Sequence, residues 1–143
     1  MRELNGLDMT LKDRVARMPG GERVTNCFLC GTCTAGCPIS RLHGDYNPRQ
    51  LMRRVLLGKA DVLADPVIWQ CMQCHVCTAH CPQDVRTADV IRAMRQLAVD
   101  EELMTQELMD AVVALDEQQR LERIERIQSL VGESRAGKGV DQS

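Results

Sequence analysis

The sequence predicts an all-α fold, and three observations carry that expectation. No segment shows sustained period-two alternation or a hairpin turn signal. Helix-starting pairs recur along the chain, and apolar residues behind them fall at helical spacing. A cysteine-bearing segment is written twice: Cys27, Cys30, Cys33, Cys37 and Pro38 return as Cys71, Cys74, Cys77, Cys81 and Pro82, each pair 44 residues apart.

The elements follow in order. Thr10 to Met18 reads as a short helix, capped by Thr10 and stopped by Pro19-Gly20-Gly21. The first cysteine loop comes next. Asn47-Pro48 then supplies an N-cap and a first helical residue. Leu51, Val55 and Leu56 repeat at helical spacing, and Gly58 ends the run. Asp65-Pro66 starts another short helix, which leads into the second loop. Thr87 is the expected cap of a helix with Ile91, Met94, Leu97 and Ala98 on one face. The pattern is helix, cysteine loop, helix, performed twice.

From Leu103 to Val131 the chain is helical and charged. Leu108, Val112 and Leu115 form one stripe; Leu121, Ile124, Ile127 and Val131 form a second. The polar run Asp116 to Arg120 is expected to kink or break the helix. Three regions result. Residues 1–100 hold the duplicated unit, 101–131 form a helical extension suited to docking a partner, and 132–143 are expected to be a disordered tail.

Composition narrows the chemistry. Aromatic residues are only 2% of the 143, namely Phe28, Tyr46 and Trp69, so the core must be filled by aliphatic residues and methionine. Bound metal is a natural source of further rigidity. The formal net charge is −2, and two oxidised cubane clusters would take it to roughly −6. An acidic balance with almost no stacking residues argues against a nucleic-acid partner. No apolar run approaches the roughly 20 residues of a membrane span. The first ten residues lack the apolar stretch of a signal peptide. A cytoplasmic location is expected, and disulfides are disfavoured there.

Each copy reads C-x2-C-x2-C-x3-C-P. Three closely spaced thiolates can wrap one face of a cubane and ligate three irons. In two-cluster ferredoxins the fourth cysteine ligates the other cluster. Cluster one would then use Cys27, Cys30, Cys33 and Cys81, and cluster two Cys71, Cys74, Cys77 and Cys37. Zinc would use C-x2-C pairs and leave the middle cysteine of each triplet spare. Disulfides would explain an even count but not the repeated triplet in a cytoplasmic chain. Two [4Fe–4S] clusters use all eight cysteines.

Residues between and beside the ligands have candidate roles. Gly31, Thr32, Thr34, Ala35 and Gly36 keep the first loop small, so backbone N–H groups can approach sulfur. His80, placed where the first copy has Gly36, is either a donor to sulfur or a solvated side chain. Arg41, His43, Arg49, Arg53 and Arg54 either offset cluster charge, face an acidic partner or form a solvated face. Trp69 is expected to shield cluster two from water rather than relay electrons. No Gly-rich phosphate loop and no nucleophile–base pair appears, and the thiols are all committed to metal. Catalysis by the chain alone is not expected.

The run Asn26-Cys27-Phe28-Leu29-Cys30-Gly31-Thr32-Cys33-Thr34-Ala35-Gly36-Cys37-Pro38 resembles the C subunit of heterodisulfide reductase. So do Tyr46-Asn47-Pro48-Arg49, Trp69-Gln70-Cys71-Met72-Gln73-Cys74, and the second loop through Cys81-Pro82. The resemblance covers about residues 10 to 100. It implies an α-helical ferredoxin fold, distinct from the small bacterial ferredoxins with their β-ribbons. It also implies a hetero-oligomeric complex. There the C subunit relays electrons from a flavin and iron–sulfur A subunit to a cysteine-rich catalytic B subunit that reduces a disulfide. Related helical ferredoxins serve other dehydrogenase and quinone-linked systems, which makes such a relay the alternative. A redox sensor is the third reading; it would require an effector-binding module that the sequence does not display.

Overall fold

The computed structural model describes residues 6–137. Among them every regular element is helical, as the sequence predicts. Helix α1 spans Leu11–Arg17 and buries Leu11 and Val15. Thr10 precedes it, but its side chain caps nothing within the helix. Instead its backbone N–H and hydroxyl both donate to the Asp8 carboxylate, at 2.9 and 2.6 Å. A 3₁₀ turn, Val24–Asn26, leads into the first cysteine loop.

Two short helices, α2 (Thr32–Ala35) and α3 (Pro38–Leu42), follow within and after that loop. Helix α4, Pro48–Leu56, starts as expected: the Asn47 side chain accepts from the Gln50 N–H at 3.0 Å, and Pro48 is the first helical residue. Its inner face is Leu51, Met52 and Val55. Gly58 ends it with φ +73°. A Cβ there would lie 2.4 Å from the Asp8 carbonyl oxygen, whose residue donates its N–H to the Gly58 carbonyl at 2.7 Å. Only glycine permits that approach.

Two further 3₁₀ turns, Ala60–Ala64 and Pro66–Gln70, lead to the second loop. Asp65 caps the latter through the Val67 N–H at 3.0 Å. It also pairs with Arg54 at 2.6 Å, which ties the turn to α4. Helix α5 (Val76–His80) lies in the second loop. Helix α6, Thr87–Asp100, buries Val90, Ile91, Met94, Leu97 and Ala98. Thr87 is not its cap. Arg86 is, with left-handed backbone, and Thr87 is the buried first helical residue. The aliphatic core joins α1, α4, α6 and the 3₁₀ turns, with Tyr46 as its largest fully buried side chain.

Helix α7 runs from Gln106 to Gly137. The Leu108 N–H donates to the Thr105 hydroxyl at 3.3 Å, so the helix begins there rather than at Leu103. The helix continues without a break through Asp116 to Arg120, where polar residues keep the backbone pairing. The helix also continues through 132–137, where the sequence suggests a disordered tail; 138–143 lie outside the described residues. The compact unit extends to Met109, past residue 100, since Met104 packs on the core and Met109 is buried. From Asp110 onward the helix is a separate unit. Its Leu121, Ile124, Ile127 and Val131 are all exposed. No helix among the described residues is long and apolar enough to cross a membrane.

Candidate iron–sulfur sites

The duplication extends to the backbone of the loops. In each, a 3₁₀ turn delivers the first cysteine, Cys27 or Cys71. The residue before the second cysteine is left-handed, Leu29 at φ +61° and Gln73 at +52°. So is the residue after it, Gly31 at +88° and His75 at +59°. A helix then carries the third cysteine, Cys33 on α2 and Cys77 on α5. Backbones that alternate hand in this way turn successive N–H groups into one concavity, which suits anionic sulfur.

Two cavities result. One, of about 340 Å³, is lined by Cys27, Cys30, Cys33 and Cys81. The other, of about 300 Å³, is lined by Cys37, Cys71, Cys74 and Cys77. Each therefore presents three thiols from one loop and the fourth from the other. The two lie side by side, since α2 packs on α5 and the charge of Cys33 reaches Cys77. All eight cysteines are free thiols. Among the described residues, no group of three or more His, Cys, Asp or Glu side chains converges on a point that a single ion would fill. A cubane is larger, and its four thiolates stand around it on the walls of a cavity. Four thiols per cavity is the complement it takes.

The cavities differ in their walls. The first is the more open: Cys30 and Cys74 are both exposed, but Cys27 and Cys33 are only half-buried where Cys71 and Cys77 are buried. The Arg49 Nε donates to the Leu29 carbonyl at 2.7 Å, beside Gly31. The Cys30 thiol is held below its ordinary pKa, first by hydrogen bonding to Thr32 and further by the Arg49 charge. Burial pushes Cys27 and Cys33 up. The second cavity is lined by Ile39, Tyr46, Pro48, Met72 and Ala88 as well as its cysteines, and Cys37, Cys71 and Cys77 are buried. Burial, then the neighbouring Cys71, pushes the Cys77 thiol up to about 11. Burial also holds the Tyr46 hydroxyl above the ordinary tyrosine range, reinforced by the charge of Cys71 and a hydrogen bond to it. Sulfur finds donors from Gln73 Nε2 to Cys71 at 3.3 Å and from the Val85 N–H to Cys81 at 3.4 Å.

The flanking residues divide among the roles open to them, and Trp69 departs from its own. His80 is exposed, and its Nδ1 lies 3.1 Å from the Val76 carbonyl rather than at a sulfur. Trp69 does not line the second cavity; it packs on the core with the Arg95 guanidinium 5.4 Å from its ring centroid. Tyr46 takes the walling role instead. Of the basic residues after the first loop, Arg49 stands at a cavity, while Arg54 pairs with Asp61 and Asp65. Sequence reasoning misses Arg95, which is buried and donates to the Ile68 and Cys71 carbonyls. The signal was its place four residues after Ile91, on the apolar face of α6.

Comparison with known proteins follows the same lines. The family described as a 4Fe–4S dicluster domain matches residues 26–86. The C subunit of the ferredoxin:CoB-CoM heterodisulfide reductase of Methanosarcina acetivorans is 35% identical over 92 residues, covering 64% of this chain and 37% of that protein. The iron–sulfur C 2 subunit of the CoB–CoM heterodisulfide reductase of Methanocaldococcus jannaschii is 43% identical over 72 residues, covering 50% and 38%. The C subunit of the H2:CoB-CoM heterodisulfide,ferredoxin reductase of Methanothermobacter thermautotrophicus is 34% identical over 93 residues, covering 64% and 49%. The matches thus span between about two-fifths and half of the length of these relatives.

Proposed function

We propose a relay role within a multisubunit reductase, from the premise that residues 26–86 match a 4Fe–4S dicluster domain in a chain similar to heterodisulfide reductase C subunits. The chain carries two [4Fe–4S] clusters and serves electron transfer. In the proposed arrangement a flavin and iron–sulfur subunit delivers electrons. The clusters pass them on, and a cysteine-rich catalytic subunit spends them on a disulfide. A cytoplasmic setting belongs to the same reading, because a reducing compartment keeps eight thiols available for iron.

One observation supports it above the rest. Four cysteines gather at each of two adjacent cavities, and each set draws on both loops. We assign cluster one to Cys27, Cys30, Cys33 and Cys81, and cluster two to Cys37, Cys71, Cys74 and Cys77. Neighbouring clusters suit stepwise tunnelling. The thiols are all taken up as ligands, which leaves the chain a conductor rather than a catalyst. The exposed face of α7 beyond Asp110 is assigned to docking a partner subunit.

The test is the composition and behaviour of the native complex, purified without oxygen. Co-purification of a flavin subunit and a cysteine-rich subunit is expected. Reduced flavin subunit should then reduce both clusters, and added catalytic subunit should reoxidise them. A complex built on a different dehydrogenase, or clusters that exchange no electrons with either subunit, would refute the reading.

A further inference from the structure

Arg95 is 3% exposed and lies on α6. Its Nε donates to the Ile68 carbonyl at 2.9 Å and its Nη2 to the Cys71 carbonyl at 2.7 Å. The guanidinium also lies over the Trp69 ring. A buried cation is costly to place, and an arginine cannot escape the cost by losing its proton. Packing of the other half does without one: α4, the helix after the first loop, buries only Pro48, Leu51, Met52 and Val55. An apolar side chain serves one half of the molecule, and a permanent positive charge stands in the other.

That charge is held against the backbone of Cys71. Two more groups meet the same residue. The buried Tyr46 lines the same cavity as Cys71, and Gln73 Nε2 donates to the Cys71 sulfur. Reduction of a cubane adds one negative charge to it. Nearby cations and hydrogen bonds to sulfur stabilise the reduced form, whereas burial opposes it. A charge inside the protein acts through a lower dielectric than one on the surface. Arg49, at the first cavity, is exposed and screened by water. We propose that Arg95, assisted by Tyr46, raises the reduction potential of the cluster at Cys37, Cys71, Cys74 and Cys77, and so makes the two halves of the duplicated unit electrically distinct. This rests on the two-cluster reading.

The experiment uses the full chain with clusters assembled, as wild type, Arg95→Gln, Arg95→Lys and Tyr46→Phe. Iron and sulfide are measured first. One-electron titrations with dithionite are then followed by EPR, with Cys30→Ala and Cys74→Ala assigning the signals to the two loops. Arg95→Gln should lower the potential of the second-loop cluster and leave the first-loop cluster in place. Arg95→Lys, which keeps the charge, should hold most of the potential, and Tyr46→Phe should give a smaller lowering at the same cluster. A fully loaded Arg95→Gln whose potentials are unchanged, or which shifts both clusters alike, overturns the proposal. A merely structural arginine would cost iron or melting temperature without moving a potential. If Arg95→Gln does not retain iron, Tyr46→Phe decides: an unshifted second-loop cluster also overturns the proposal. A wild type without eight irons would instead refute the two-cluster reading itself.

Discussion

Gly31 and His75 hold equivalent places 44 residues apart, and both turn the chain with left-handed backbone, φ +88° and +59°. Glycine takes that conformation freely, whereas histidine bears a strain of about 1 kcal/mol. His75→Gly should therefore assemble the second-loop cluster as well as wild type. His75→Val should be worse by about 1–2 kcal/mol, because β-branching opposes a positive φ. Iron content and thermal melting of the two variants check this. Equal behaviour of Gly and Val would mean that the turn is not needed to place Cys74 and Cys77.

Metal content is the most direct measurement. The assembled protein should hold about eight irons and eight acid-labile sulfides, four of each per cubane. Reduction should produce the EPR spectrum of two interacting clusters. Stoichiometric zinc without sulfide would contradict it.

Each cavity draws on both loops, so cluster assembly and tertiary structure should be coupled. The apo protein is expected to retain helix but lose cooperative unfolding. It should also weaken at alkaline pH. Cys77 rises from 9.0 to about 11 on folding, so between those values the folded apo form binds more protons than the unfolded one. Stability therefore falls as pH rises through that window. The helical circular dichroism of apo protein at pH 8 and pH 10.5 makes the comparison; more helix at pH 10.5 would be the wrong sign.

The shared ligation is tested by serine substitution at the fourth cysteines. Cys37→Ser should perturb the cluster of Cys71, Cys74 and Cys77. Cys81→Ser should perturb that of Cys27, Cys30 and Cys33. A shifted potential or a three-iron signal is the expected readout, since serine can ligate iron. If Cys37→Ser reproduces the spectrum of Cys30→Ala, each loop binds its cluster alone.

Truncation after Asp116 removes Leu121, Ile124, Ile127 and Val131 but keeps the buried Met109. Both clusters should survive, and association with partner subunits should weaken. Loss of clusters with an intact complex would make the helix part of the core.

The duplicated cysteines, the capping by Asn47 and Asp65 and the aliphatic faces of α4 and α6 were legible in the sequence. These signals are local: a cap needs a side chain and an N–H two or three residues apart, and a helix face needs only its period. The same locality misled at Thr87 and 132–137. Cap preference and polar character are weak beside the cooperativity of a helix already begun. What shares a cavity is a long-range matter. Only the tertiary structure made Tyr46 rather than Trp69 the wall of the second cavity, and carried the Arg95 guanidinium to the Cys71 carbonyl. Arg95 on α6 and Leu51 on α4 both lie on buried helix faces, and periodicity assigns both there. Whether a charge can live there depends on which carbonyls the opposing chain brings within reach, and that is decided when the two halves pack.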